Sequence, residues 1–228
     1  AKRYAEALRA TGVDIHVGGV PAYTTLGYFD DPLLNTFLRF GDQEVARIIF
    51  HELAHQIVYI KGDTAFNESF ATAVENEGLR RWLVQTATPA RLQNFEVFQQ
   101  RKGQFIQLVS DTRESLRIVY GSSLPPEIKR RSKAETIETM MRNYAHLKTG
   151  WGGFAGFDSW FRQPMNNATL ASVSLYTHWA PAFQALLDEE GGNLGHFYRR
   201  VAELGALPKS ERDVVLQRLM VARPAATD

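Results

Sequence analysis

Cysteine is absent from the 228-residue sequence. Disulfides, a thiol nucleophile and thiolate metal sites are thereby excluded; no compartment is, because a chain of this length can fold without disulfides. Neither sign of charge dominates. Twenty-six Lys and Arg face 25 Asp and Glu, with no basic block and no acidic tail, so nucleic acid is not an expected partner. No apolar run approaches the length of a membrane span. Internal repeats and low-complexity stretches are also missing. The chain opens at Ala1 with neither an initiator Met nor a leader, and the expectation is a processed or trimmed chain. What is present is ordinary for a globular protein: 44% apolar and 22% charged residues, enough to build a core.

Residues 2–10 read as a short helix. Val13 to Val17 alternate, Gly18-Gly19 marks a turn, and Val20 to Leu26 is rich in β-branched and aromatic residues, which predicts strand, turn, strand. Thr36 to Phe40 reads as another strand or a short helix. From about 42 onward the pattern is helical. Asp42 as N-cap and Gly62 as C′ residue frame a helix over 43–61, apolar around most of its circumference and so expected to be buried. A second helix is predicted over about 65–85. Apolar stripes then predict two long helices, at 89–121 and 126–148, broken at Ser122 to Pro126 and folded as an antiparallel hairpin. Gly150 to Pro164 reads as an irregular loop. Asn166 or Asn167 caps the next helix, Pro181 starts another that Gly191-Gly192 ends, and two short helices follow at about 193–204 and 210–221.

The chemistry lies in His51-Glu52-Leu53-Ala54-His55. Two His four apart on a helix share one face and can bind one metal ion. Imidazole suits zinc, and zinc with three protein ligands keeps a fourth position for water. Glu52, beside that face, is the candidate base for that water. The bland alternative is a buried helix with two satisfied His. Burying His51, Glu52 and His55 without a shared purpose would be unfavourable, which weighs toward the metal. The third ligand must come from elsewhere, and Glu68, on the next helix after a Lys61 to Thr64 turn, is the best candidate.

The segment Asn67-Glu68-Ser69-Phe70-Ala71, with Glu75 seven residues after Glu68, resembles the third-ligand segment of the gluzincin metallopeptidases. These include the aminopeptidase N family and, more distantly, thermolysin. The resemblance implies that Glu68 binds zinc, one ion per chain, and that Glu75 orients a ligand His, with Asn67 as a second supporting group. The spacing departs from the pattern: twelve residues separate His55 from Glu68, fewer than in those enzymes. Ala22 to Pro32, Phe50 to Gln56 and Lys61 to Ala71 together resemble the bacterial putative aminopeptidase family, and this resemblance covers most of the chain. It implies an α+β, mostly α, zincin-like fold. One peptidase domain would span 1–223, with a small N-terminal β-sheet in about 1–41, a metal-binding helix pair and the long hairpin in about 42–223, and a disordered tail at 224–228. Family members often carry a longer N-terminal region with a lipoprotein-type export signal, which implies a periplasmic setting and a lipid anchor on that segment.

The same resemblance offers Ala22, Tyr23 and Thr24 as an edge strand that pairs with an extended peptide; a plain core strand is the other reading. Tyr176, in Leu175-Tyr176-Thr177-His178-Trp179, resembles a family block and is the first choice for oxyanion donor, with His178 and Tyr144 as rivals. Tyr144 lies on an apolar stripe and reads as core. His16, His146 and His196 have no motif around them and read as surface or satisfied residues. An aminopeptidase also needs an acid for the substrate α-ammonium, and Asp30, Asp31 and Glu77 are available. The expected function is thus a zinc peptidase acting on peptides, as an aminopeptidase or, with the same site, an endopeptidase. The competing class is a binding or scaffold protein with a relic metal site.

Overall fold

A computed structural model describes residues 2–19, 25, 28–29, 31 and 35–222; within its helices the side chains of Lys2, Thr36, Phe37, Leu175, Tyr176 and Ala222 are left out of that description. Eleven helices run through the described residues: α1 (Lys2–Arg9), α2 (Asn35–Leu38), α3 (Asp42–Ile57), α4 (Thr64–Thr86), α5 (Pro89–Gly121), α6 (Pro126–Gly150), α7 (Asp158–Phe161), α8 (Asn167–Thr177), α9 (Ala180–Glu189), α10 (Leu194–Ala206) and α11 (Lys209–Ala222). Their contacts gather into two compact units. One comprises residues 1–18 and 93–174, the other 19–92 and 175–228.

No strand occurs among the described residues, so the expected N-terminal β-sheet is corrected to helix and coil. Val13 to Val17 alternates as a strand would, but alternation stabilises nothing without a partner ladder. Here the backbone finds other partners: Asn166 Nδ2 donates to the carbonyl of Ile15, and the Asp14 carboxylate accepts from the amide of Asn167 and from Lys133. Val13 and Val17 stay exposed. Of the second expected strand, residues 20–24 and 26 lie outside the described residues, as does the tail from 223. Thr36 to Phe40 resolves in favour of a helix, α2.

Local chemistry explains most helix ends. Asp63 caps α4, its Oδ1 accepting from the amide of Phe66 at 3.2 Å. Pro126 stands at the start of α6. Asn166, rather than Asn167, caps α8 by accepting from Thr169 N at 2.9 Å. Asn193 does the same for α10. Two expectations about α3 need correction. Its N-cap is Gly41, and Asp42 is already helical. The helix also stops at Ile57, so Gly62 (φ +83°) serves the turn before α4 rather than the helix end.

In the unit of 19–92 and 175–228, α4 is the central rod. It packs on α3 and on α9, and α9 packs in turn on α10 and α11. Phe66 and Phe70 of α4 meet Phe183 of α9 and Phe197 of α10, all four fully buried. Each such side chain contributes about 1.5–3 kcal/mol on leaving water. Contrary to expectation, α3 is not enclosed. Leu53 and Ile57 remain about half exposed, and only Ile48, Ala54 and His55 are buried, because α3 meets its neighbours along one face. In the other unit α5 and α6 share a core of Phe105, Leu108, Val109, Leu116, Met140 and Tyr144. The Gly- and aromatic-rich loop supplies Phe161 to that core through the short helix α7.

Candidate metal centre

His51 and His55 stand one turn apart on α3, with ring centroids 5.0 Å apart and planes at 84°. Glu68 stands on α4, which the Asp63 cap and its turn fold back along α3. That turn is fixed by Asn67, whose side-chain amide donates to the carbonyl of Ile60 and accepts from its amide, both at 2.8 Å. Asn67 thus holds the backbone beside Glu68 and touches none of His51, His55 and Glu68 in any described contact. Ser69, the other neighbour of Glu68, accepts from the amide of Trp179 at 3.0 Å and is fully buried, which anchors the start of α9 on α4.

The result is a convergence. His51 Nε2 lies 3.2 Å from Glu68 Oε2, and His55 Nε2 lies 3.7 Å from Glu68 Oε1. One ligand atom from each of the three residues falls within 4.8 Å of the others. On its other side, His51 Nδ1 lies 2.8 Å from Glu75 Oε2. A carboxylate is an acceptor only, so Nδ1 carries the hydrogen and donates. In the neutral ring that leaves Nε2 a bare lone pair facing another acceptor, Glu68. Such a pair needs a cation between or a proton on the ring. Burial opposes charging His51, but the hydrogen bonds to Glu68 and Glu75 outweigh it and push its pKa up to about 9. A metal ion would meet the same need. Two imidazole nitrogens and one carboxylate are the donor set of a catalytic zinc site, so these residues fit that metal.

His55 behaves differently. Burial and the nearby His51 charge hold its pKa below the ordinary imidazole value, against the pull of Glu68. That direction favours the neutral ring that a metal ligand needs. Its Nδ1 is buried without a hydrogen-bond partner among the described atoms. Glu52 is half-buried, and burial raises its proton affinity. The His51 charge opposes that rise, while the charges of Glu68 and Asp31 add to it. A carboxylate shifted in this direction is better suited to accept and return a proton near neutrality.

A family model described as Putative aminopeptidase matches residues 1–216. The chain belongs to this family. No curated protein and no solved structure matches the chain. The family name brings with it the coarse activity of a peptidase acting on peptides. Within this Putative aminopeptidase member, the other residues singled out in the sequence fall as follows. Ala22, Tyr23 and Thr24, and the acid Asp30, lie outside the described residues; Tyr176 is in the last turn of α8 and its side chain is not described. Its rival Tyr144 donates its hydroxyl to Asp158 inside the core of α5 and α6. His178 is exposed, its ring 4.2 Å from that of Trp179. The Glu77 carboxylate is taken up by Arg80 and Arg81. Asp31 accepts from the amide of Thr25 at 2.8 Å. One residue near the converging side chains escaped the sequence reading. Arg47 donates to Glu75 Oε2 at 3.0 Å and to both oxygens of Glu44. Its only sequence signal was its place one turn before His51, which many surface arginines share.

Proposed function

We propose that the protein is a zinc-dependent aminopeptidase in which His51, His55 and Glu68 hold the metal and Glu52 is the general base. The observation that carries this reading is the convergence of two imidazole nitrogens and a carboxylate within 4.8 Å, with Glu52 on the same helix. A zinc ion held there would acidify a water and polarise the scissile carbonyl. Glu52 takes a proton from the attacking water as the new C–O bond forms, then returns it to the leaving amine as the C–N bond breaks. His51 is kept in one tautomer and orientation by Glu75. Tyr176 is our choice as a donor to the oxyanion, beside the metal that His51, His55 and Glu68 would hold.

Glu52→Gln tests the role of the base. The variant should bind zinc like the wild type while peptide hydrolysis falls about 10²–10⁴-fold. Activity within a few-fold of wild type would remove Glu52 from the mechanism. For the exopeptidase preference we assign Asp31 to the substrate α-ammonium, supported by its electrostatic reach to Glu52. Asp31→Asn should raise KM for peptides with a free N-terminus about tenfold while kcat changes far less, as expected for loss of one charge-assisted contact made throughout the reaction. An unchanged KM would contradict the assignment.

A further inference from the structure

We infer that Arg47 is a positioning residue of the metal centre: it holds the Glu75 carboxylate in the orientation that turns His51 Nε2 toward a divalent cation. The inference rests on the zinc reading above. Arg47 and His51 lie one turn apart on α3, with side chains on the same face. A single oxygen, Glu75 Oε2, accepts from both, at 3.0 Å from Arg47 Nη1 and 2.8 Å from His51 Nδ1. The opposite edge of the guanidinium is also engaged. Its Nε and Nη2 donate to the two oxygens of Glu44, at 3.0 and 2.6 Å. Glu44 therefore fixes the planar fork, and the fork fixes Glu75. Glu44, Arg47 and His51 stand on α3 while Glu75 stands on α4, so the chain of contacts locks the ligand helix to the helix that bears Glu68.

Charge explains why an arginine is needed. The Glu75 side chain is only 3% exposed. A desolvated carboxylate is unfavourable unless a cation matches it. Once Nε2 coordinates a metal, His51 is a neutral imidazole and no longer supplies that cation itself. Arg47 remains protonated under any working condition. In the loaded centre it would still be a protein cation in direct contact with Glu75. A salt bridge that merely tied α3 to α4 would stabilise the metal-free and loaded proteins equally and leave zinc affinity alone.

The test is the zinc Kd of the intact chain, read by competition with a chromophoric chelator, together with the unfolding midpoint of the metal-free protein. Arg47→Met should weaken zinc about tenfold or more, the range expected when a partner of a ligand His is lost. Arg47→Lys should recover part of that, since it keeps the charge but not the fork. In a Glu75→Gln background, Arg47→Met should change Kd less than about twofold, because Arg47 acts through Glu75. Wild-type affinity in Arg47→Met, or an undiminished loss in the Glu75→Gln background, overturns the inference and leaves the zinc reading standing. A wild type that binds no zinc removes the reading and the inference together. If Arg47→Met does not fold, Glu44→Gln and Arg47→Lys carry the comparison. An intermediate loss in both supports the inference, and wild-type Kd in both overturns it.

Discussion

The two ring nitrogens of His51 meet different partners, and this decides how the centre responds to pH. Nδ1 donates to Glu75, whose carboxylate can only accept, while Nε2 faces Glu68 and would carry either a proton or a metal ion. With no metal, the pKa of His51 is raised from the ordinary imidazole value to about 9. A folded pKa above the unfolded one gives stability that is fully present below about 6.5 and is lost as pH rises through about 9. A zinc ion bound at Nε2 would have to displace that proton. Binding at pH 7.5 should therefore release about one proton, and affinity should tighten from pH 6.5 to 9. Calorimetric titration of zinc in buffers of different ionisation enthalpy reads the proton number directly. A value near zero at pH 7.5 would contradict the charged state assigned to His51. At this scale the convergence of His51 and His55 was legible because His-Glu-x-x-His fixes residue type and spacing together. Arg47 was not, because an arginine near two glutamates reads the same whether it faces solvent or a buried carboxylate. Asn67 was legible as important, but its task, holding Ile60, depends on a turn that residue types alone do not draw.

At the scale of elements, the site depends on how closely α3 and α4 approach. Gly78 of α4 lies directly under Phe50, the residue before His51. A Cβ added at Gly78 would fall 2.8 Å from Phe50 Cγ, too close for the ring to yield cheaply. Alanine is favoured over glycine by about 1 kcal/mol inside a helix, yet overpacking costs about 1–3 kcal/mol. Gly78→Ala should therefore lower the urea midpoint of unfolding, with a net loss of up to about 2 kcal/mol once the helix-propensity gain is subtracted. An unchanged or raised midpoint would show that α3 moves aside freely. Helix positions were largely legible, because caps and breakers such as Asn166, Pro181 and Gly191-Gly192 act within a few residues of themselves. The N-terminal sheet was misread for the opposite reason. A strand exists only through its partner, and Val13 to Val17 instead lends its backbone to Asn166, far away in sequence. The exposed Leu53 and Ile57 on α3 mislead in the same way, since apolar periodicity does not say which faces other helices cover.

Across the whole molecule, distant parts of the chain support the centre. Arg212 of α11 forms a buried ion pair with Asp63 at 2.6 Å, and Asp63 caps the helix that carries Glu68. Arg212 also donates to the carbonyl of Leu207 and lies over the Phe66 ring, 5.1 Å from its centroid. A turn near residue 63 and a helix near 212 thus act as one support, which no local pattern in the sequence reveals. The near-neutral charge and the absence, among described residues, of a helix fit to cross a membrane leave the convergent His and Glu residues as the feature that speaks most directly for function. Metal content by elemental analysis, on protein purified without a His tag and compared with Glu68→Ala, tests the account most directly. About one zinc per chain in the wild type, lost or sharply weakened in Glu68→Ala, is the predicted result for a three-ligand site. A wild type that holds no zinc even after the metal is added back would contradict it.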